Sequence, residues 1–332
     1  MKIGKVDNET LERLVLGRIG KKRDEVIVGP GIGEDCAVLD FGEYECVLST
    51  DPITAGASRV GTLAVHISCN DVASNGVEPM AVMLTVLLPP DTTEEEVEEI
   101  ARQANEAAKE LGIQIIGGHT EVTDAVNQPV ISAVAIGRAP KRGQGNDCPG
   151  ASLHSGDLIV VTKKLALEGT ALAVEQREEE LRSYLTEEEI GHAKAMMDHI
   201  SVVKEGVIAG RIGVDVMHDV TEGGALGAVW EVCARAGAGA VIEAGALPFD
   251  PVTMTVCAAL ELDPMRLISS GSMLMCVSGK LWEILKEKLA EEGIEASVIG
   301  RVTEAGNGIT LIMKNGEREA VGPPGPDEIY KI

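Results

Sequence analysis

The sequence predicts an α/β (α+β) protein of two halves, and three observations carry the prediction. Apolar runs of strand length alternate with helix-length segments along most of the 332 residues. That length corresponds to about two domains. A polar, Gly/Pro-rich stretch, "RAPKRGQGNDCPGASLHSG" (138–156), interrupts the alternation and reads as an interdomain linker. The expected division is an N-terminal domain over 1–140, a linker over 141–156, a C-terminal domain over 157–322 and a tail over 323–332.

Taken in order, residues 7–19 have the spacing of a short amphipathic helix, and "ECVLSTD" (45–51) reads as a strand ending on an acid. Residues 61–76 fit two periods. Leu63, Ile67, Asp71 and Ser74 recur as on a helix, whereas Leu63, Val65, Ile67 and Cys69 alternate as on a strand. Gly76, placed as a C-terminal stop, favours the helix. "PMAVMLTVLLP" is a buried strand. In "TTEEEVEEIARQANEAAKELG", Thr93 and Glu96 form a capping box, Val97, Ile100, Ala101, Ala104, Ala108 and Leu111 line one face, and Gly112 ends the helix. The Glu run at 94–99 reads as a solvated face. Strands "IQIIGG" and "VISAVAIG" follow. Past the linker come strand "DLIVVTK", helices near 165–184 and 186–209, strand "VDVMHD", a helix at 224–236, strand "AGAVIEA", a helix at 251–261, strand "SMLMCVS", a helix at 281–292, and strands "IEASVIG" and "GITLIM". The tail, "VGPPGPDEIYKI", reads as mobile.

Composition narrows the function. Hydrophobic residues make up 45% but aromatics only 2%, so the core is aliphatic. Asp and Glu number 53 against 29 Lys and Arg, a formal charge of −24, which excludes nucleic acid and anionic membranes as natural partners. A small anion such as ATP is still accommodated where Mg²⁺ and backbone N–H groups meet it. No apolar run approaches the roughly 20 residues of a membrane helix, and "MKIGKVDNET" has no signal-peptide core. The seven cysteines are scattered, with no C-x-x-C pair, so the expected compartment is the cytoplasm, with most thiols acting as small buried hydrophobes.

Four segments place glycines or small residues beside an acid at a strand end or helix start: "GPGIGEDCAVLD" (29–40), "STDPIT" (49–54), "NDVASNG" (70–76) and "IIGGHTEVTD" (115–124). Hard cations take carboxylate and phosphate oxygens, and glycines such as Gly31 and Gly33 let backbone N–H groups approach a phosphate. Asp35, Asp51 and Asp71 are the candidate metal ligands; the alternatives are a turn cap after Gly33 for Asp35, a turn start before Pro52 for Asp51, and a buried acid satisfied by neighbouring backbone for Asp71. The "TEGG" loop, with Thr221, Gly223 and Gly224, opens a helix and reads either as an anion site or as an ordinary cap. No Walker loop, complete dinucleotide fingerprint, H-E-x-x-H or G-x-S-x-G occurs.

In their order, these segments resemble the AIR synthase (PurM-like) superfamily, with HypE-like AIR synthase-related proteins most similar. "HDVTEGGALGAVWE" is similar to the superfamily's Asp-x-Thr-x-Gly-Gly segment, and "ISSGSMLMCV" to its later Gly-containing strand. The resemblance runs over nearly the whole chain. It implies an N-terminal half that forms a barrel across a homodimer, a ferredoxin-like C-terminal half, and ATP with Mg²⁺ near the N-terminal acids. It implies metal positions at Asp35, Asp51 and Asp71, with Asp71 essential to turnover, and phosphate positions at Asn70, Gly117, Gly118 and Thr120. The implied activity is activation or phosphorylation of a small-molecule acceptor. Non-catalytic nucleotide binding and a HypE-like role beside a maturation-protein partner are the alternatives.

Three positions depart from the pattern. His119 stands where the superfamily usually has an acid, and an imidazole there suits general-base or phosphate contact better than Mg²⁺. Glu222 stands where HypE-like chains often have Arg. HypE ends in Pro-Arg-x-Cys, whose Cys accepts the carbamoyl group, whereas no Cys follows Cys276 here, so HypE's own reaction is not expected.

Overall fold

The computed structural model describes residues 6, 8–16, 18–54, 58–141 and 153–332. Most of the expected linker and Cys148 lie outside these residues. A short helix α1 (Asn8–Leu11) runs into a π-helical turn at Glu12–Leu16, where one longer helix was expected. The first sheet contains β1 (Val26–Val28), β2 (Ala37–Asp40), β3 (Tyr44–Ile53), β4 (Pro79–Leu88), β5 (Gln114–Val122) and β6 (Val130–Pro140). Its strand order is β1-β2-β3-β6-β4-β5. Neighbouring strands are antiparallel except β4 and β5, which helix α3 (Glu94–Glu110) connects, as a parallel pair requires. Thr93 and Glu96 close the expected capping box.

Helix α2 (Val60–Ser74) packs on β3 and β6 and against α3. Every residue of it except Thr62 is buried, which explains its ambiguous period: a helix enclosed on all sides has no polar stripe. Its rear face meets the second half, where Val203 and Val207 join the first half's core.

The second sheet contains β7 (Leu158–Thr162), β8 (Val216–Val220), β9 (Gly239–Glu243), β10 (Ser272–Val277), β11 (Ala296–Thr303), β12 (Ile309–Ile312) and β13 (Arg318–Ala320), in the order β13-β12-β9-β11-β7-β10-β8. Around it lie α4 (Leu167–Leu181), α5 (Glu187–Ala195), α6 (Val203–Ile212), α7 (Gly224–Ala236), α8 (Pro251–Ala259) and α9 (Gly279–Glu291). The expected helix 186–209 is thus two helices, joined through a 3₁₀ turn at Met196–His199. At Gly206 α6 crosses α2 so closely that a Cβ would sit 2.2 Å from the Ala73 carbonyl oxygen.

The tail is not mobile, as its composition suggested, but docked. Asp327 and Glu328 are buried, and Ile329 and Ile332 pack on the apolar clusters around α4 and α8. Among the described residues no helix is long and apolar enough to cross a membrane.

Candidate metal and nucleotide site

A cavity of about 440 Å³ opens where the two halves meet, and Asp35, Ser49, Asp51, Asp71, Asp219 and Thr221 are among its lining residues. The chain delivers these groups from separate elements. Asp35 is in the loop between β1 and β2, Ser49 and Asp51 are on β3, Asp71 is in α2, and Asp219 is on β8. The three aspartates expected from the first half therefore share one cavity, and the second half adds a fourth.

The carboxylates are costly to keep there. Asp71 is 5% exposed and Asp219 is 1% exposed. Burial, reinforced by Asp219, Asp51 and Asp35, raises the Asp71 pKa well above the usual carboxylate range. Burial likewise raises Asp219, to about 7, with Asp35 and Asp51 adding to the shift and His218 opposing it. Ser49 Oγ lies 2.5 Å from Asp71 Oδ2 and 2.9 Å from the Asp35 carbonyl oxygen. Both carboxylate oxygens of Asp219 are buried without a hydrogen-bond partner. One oxygen each of Asp35 and Asp219 and one nitrogen of His218 lie within 4.8 Å of one another. The carboxylates of Asp35, Asp51, Asp71 and Asp219 around one cavity, with the buried Asp219 oxygens unsatisfied, fit a hard divalent cation such as Mg²⁺.

His218, on β8, sits between two acids. Its Nε2 is 2.9 Å from Glu231 Oε2, and its Nδ1 is 2.9 Å from Asp35 Oδ2, an ion-pair contact set off the straight hydrogen-bond line. Burial alone would depress the imidazole, but Asp35 and Glu231 outweigh it and hold the pKa well above the usual histidine value.

Several expected site residues stand elsewhere. Asn70 does not address a phosphate from this position. It is fully buried, its Nδ2 donates to the Ile200 carbonyl and its Oδ1 accepts the Val202 N–H, both at 2.8 Å. The amide joins the halves, while Asp71 beside it faces the cavity. Gly31 and Gly33 lie in the loop before Asp35 but are not among the cavity-lining residues, and the Gly33 carbonyl accepts from Arg235 Nη1 at 3.3 Å.

Gly117, Gly118, His119 and Thr120 are on β5, at the far edge of the first sheet, and line a second cavity of about 330 Å³ with aliphatic residues including Leu84, Val86 and Ile131. His119 is therefore not assembled with Asp71 within one chain. Its side chain is exposed, with Nε2 3.0 Å from Glu121 Oε2. Gly118 has a local cause: a Cβ there, where φ is +147°, would fall 1.8 Å from the Leu84 carbonyl oxygen.

In the TEGG loop, Thr221 lines the carboxylate cavity, but the Gly223 N–H donates to Asp327 Oδ2 at 2.6 Å. Asp327 Oδ1 also accepts the Ile268 and Ile329 N–H groups. Gly224 follows as the first residue of α7, beneath the Met265 and Leu267 carbonyls. The carboxylate that meets this helix start is thus the chain's own Asp327.

Residues 33–139 match the family model for the AIR synthase related protein, N-terminal domain, and residues 154–312 match that for its C-terminal domain. The chain belongs to the AIR synthase related family. A Methanocaldococcus jannaschii protein named for hydrogenase expression and formation is 28% identical over 99% of this chain and 97% of its own length. A solved structure of the hydrogenase maturation protein HypE in complex with ATP superposes with a TM-score of 0.72 at 19% identity, covering 98% of this chain and 97% of that one. A ThiL complexed with AMPPCP and TMP gives 0.76 at 18% identity, over 98% and 99%. At these identities the structural likenesses establish the PurM-like fold.

Asp219, His218 and Glu231 lie in the HDVTEGGALGAVWE segment, but sequence reasoning gave none of them a place in the site. Asp219 carried a usable signal, an acid at a strand end before Thr221 and two glycines, the same pattern that singled out the first-half acids. The pairing of His218 with Glu231 follows from β8 and α7 packing side by side and has no sequence signature.

Proposed function

We propose that this protein is a Mg²⁺-dependent, ATP-binding enzyme of the AIR synthase related family that activates or phosphorylates a small-molecule acceptor. The observation that carries the reading is the convergence of Asp35, Asp51, Asp71 and Asp219, from both halves, on one cavity. Four acids would repel a polyphosphate, so a cation must stand between them, and bound Mg²⁺ would supply charge neutralisation at the transferring phosphoryl group. The ATP-bound HypE and the AMPPCP-bound ThiL support a nucleotide in this fold.

The chain's own residues set the geometry. Ser49 orients Asp71, Asp51 is held in the ladder opposite Ala133, and Thr221 presents a hydroxyl-bearing side chain to the cavity wall. A second copy of the chain would complete the site. β4 and β5 expose Met80, Met83, Ile116 and Val122, an apolar surface suited to a partner sheet, and the second copy would bring β5, with Gly117 to Thr120, towards the nucleotide.

Calorimetry with MgATP, together with ADP formation across a panel of acceptors, tests the reading. Asp71→Asn should abolish Mg²⁺-dependent ATP binding and turnover while the protein stays folded; unchanged binding and turnover in that variant would sink it. Non-catalytic nucleotide binding is the second reading, favoured by the separation of His119 from the acids within one chain. It predicts stoichiometric binding with no ADP formed.

A further inference from the structure

We propose that His218 is a positioning residue for the metal site: anchored on Glu231 of α7, its ring fixes the Asp35 carboxylate opposite Asp219. The inference rests on the reading of the cavity as a Mg²⁺ site.

Asp35 belongs to a loop, outside any strand or helix, so its carboxylate needs an outside hold to keep one orientation. His218 supplies it from the other half of the molecule, with Nδ1 2.9 Å from Asp35 Oδ2 and Nε2 2.9 Å from Glu231 Oε2. The ring is 5% exposed, too enclosed to turn away into solvent. Helix α7 holds the same loop a second time, through Arg235, which pairs with Glu34 at 2.8 Å. The loop that carries Asp35 is therefore set by the helix that carries Glu231 and Arg235.

With Nδ1 turned to Asp35 and Nε2 to Glu231, the ring acts through the ligand it holds, and losing such an outer contact typically weakens metal affinity by about 10- to 100-fold.

Two near-isosteric substitutions separate the ends of the ring. An asparagine amide nitrogen falls near the position of Nδ1 and keeps a donor towards Asp35. A glutamine amide nitrogen falls near Nε2, keeping the Glu231 contact and losing the one to Asp35. Mn²⁺ binding to the full chain without nucleotide is measured by calorimetry, beside each variant's thermal unfolding. His218→Gln should weaken Mn²⁺ by about 10- to 100-fold, and His218→Asn, which keeps the donor towards Asp35 but gives up the Glu231 anchor, should lose clearly less, under about tenfold.

Equal affinity in His218→Gln and the parent overturns the proposal, as does an equally large loss in both variants. Should His218→Gln not fold, Glu231→Met frees the far end of the ring; weaker Mn²⁺ binding supports the proposal and unchanged binding overturns it. Asp71→Asn serves as the control for the underlying reading. If the parent itself binds no Mn²⁺, the metal site and this proposal fall together; if Asp71→Asn weakens Mn²⁺ and His218→Gln does not, only this proposal falls.

Discussion

Replacing Asp219 by asparagine should make the metal-free protein more stable at pH 8 while abolishing its response to Mg²⁺ and ATP. Burial and the neighbouring acids raise the folded-state pKa from 3.8 to about 7. The unfolded chain releases that proton near pH 4, whereas the folded chain keeps it until near pH 7. Stability is therefore lost as pH rises through this window, and the loss is complete at pH 8. Roughly three pKa units at about 1.4 kcal/mol each set an upper limit of ~4 kcal/mol. Against this stands the cost of burying an amide where no partner waits, about 1–3 kcal/mol. The gain outweighs the cost at pH 8, for a net stabilisation of about 1–3 kcal/mol, whereas at pH 5 only about one of the three pKa units has been crossed and a gain of about 1.5 kcal/mol roughly cancels the cost. Urea denaturation of parent and variant at both pH values, in EDTA, measures the crossover. Thermal unfolding with and without MgATP then measures the lost ligand response, which for the parent is about 2.7 kcal/mol at a hundredfold excess over Kd. A variant destabilised equally at pH 5 and pH 8 refutes the reasoning, because Asp219 would then be a satisfied structural acid.

Two further outcomes are expected. Asn70→Ala should cost about 2–4 kcal/mol in denaturant unfolding by removing both inter-half hydrogen bonds of a fully buried amide; a change below about 0.5 kcal/mol would show that the strut is not needed. Glu168 is held to about 7 by burial, with Ser270 opposing and Asp327 and Glu222 adding to the shift. Stability should thus fall between about pH 4.5 and 7, and Glu168→Gln should remove that slope, gaining up to ~3 kcal/mol at pH 8 and little at pH 5; an unchanged slope in the variant excludes Glu168 as its source.

The elements legible in the sequence were those with local causes. The Thr93 and Glu96 box marked the start of α3, and alternating or continuous apolar runs marked the long strands. The single helix expected over 186–209 was wrong for a non-local reason: Asn70, from the other half, takes the Ile200 carbonyl and the Val202 N–H, the groups a continuous helix would use. The tail looked mobile because Pro and Gly dominate it, yet Asp327 caps the turn at Glu328–Lys331 and accepts from Gly223 as well. In the site, short Gly-acid segments were enough to bring Asp35, Asp51 and Asp71 together. They could not separate side chains that face the cavity from a neighbour, Asn70, one residue away and turned about 100° around the helix.

Helix α2 has a consequence for how the polypeptide acquires its shape. Its flank is closed by Val203 and Val207 from the far side of the sequence, so residues 33–139 made alone would present that flank to water. The two segments that family matching separates should therefore melt as one cooperative unit, and during synthesis the first would wait, partly formed, until α6 had emerged to cover it.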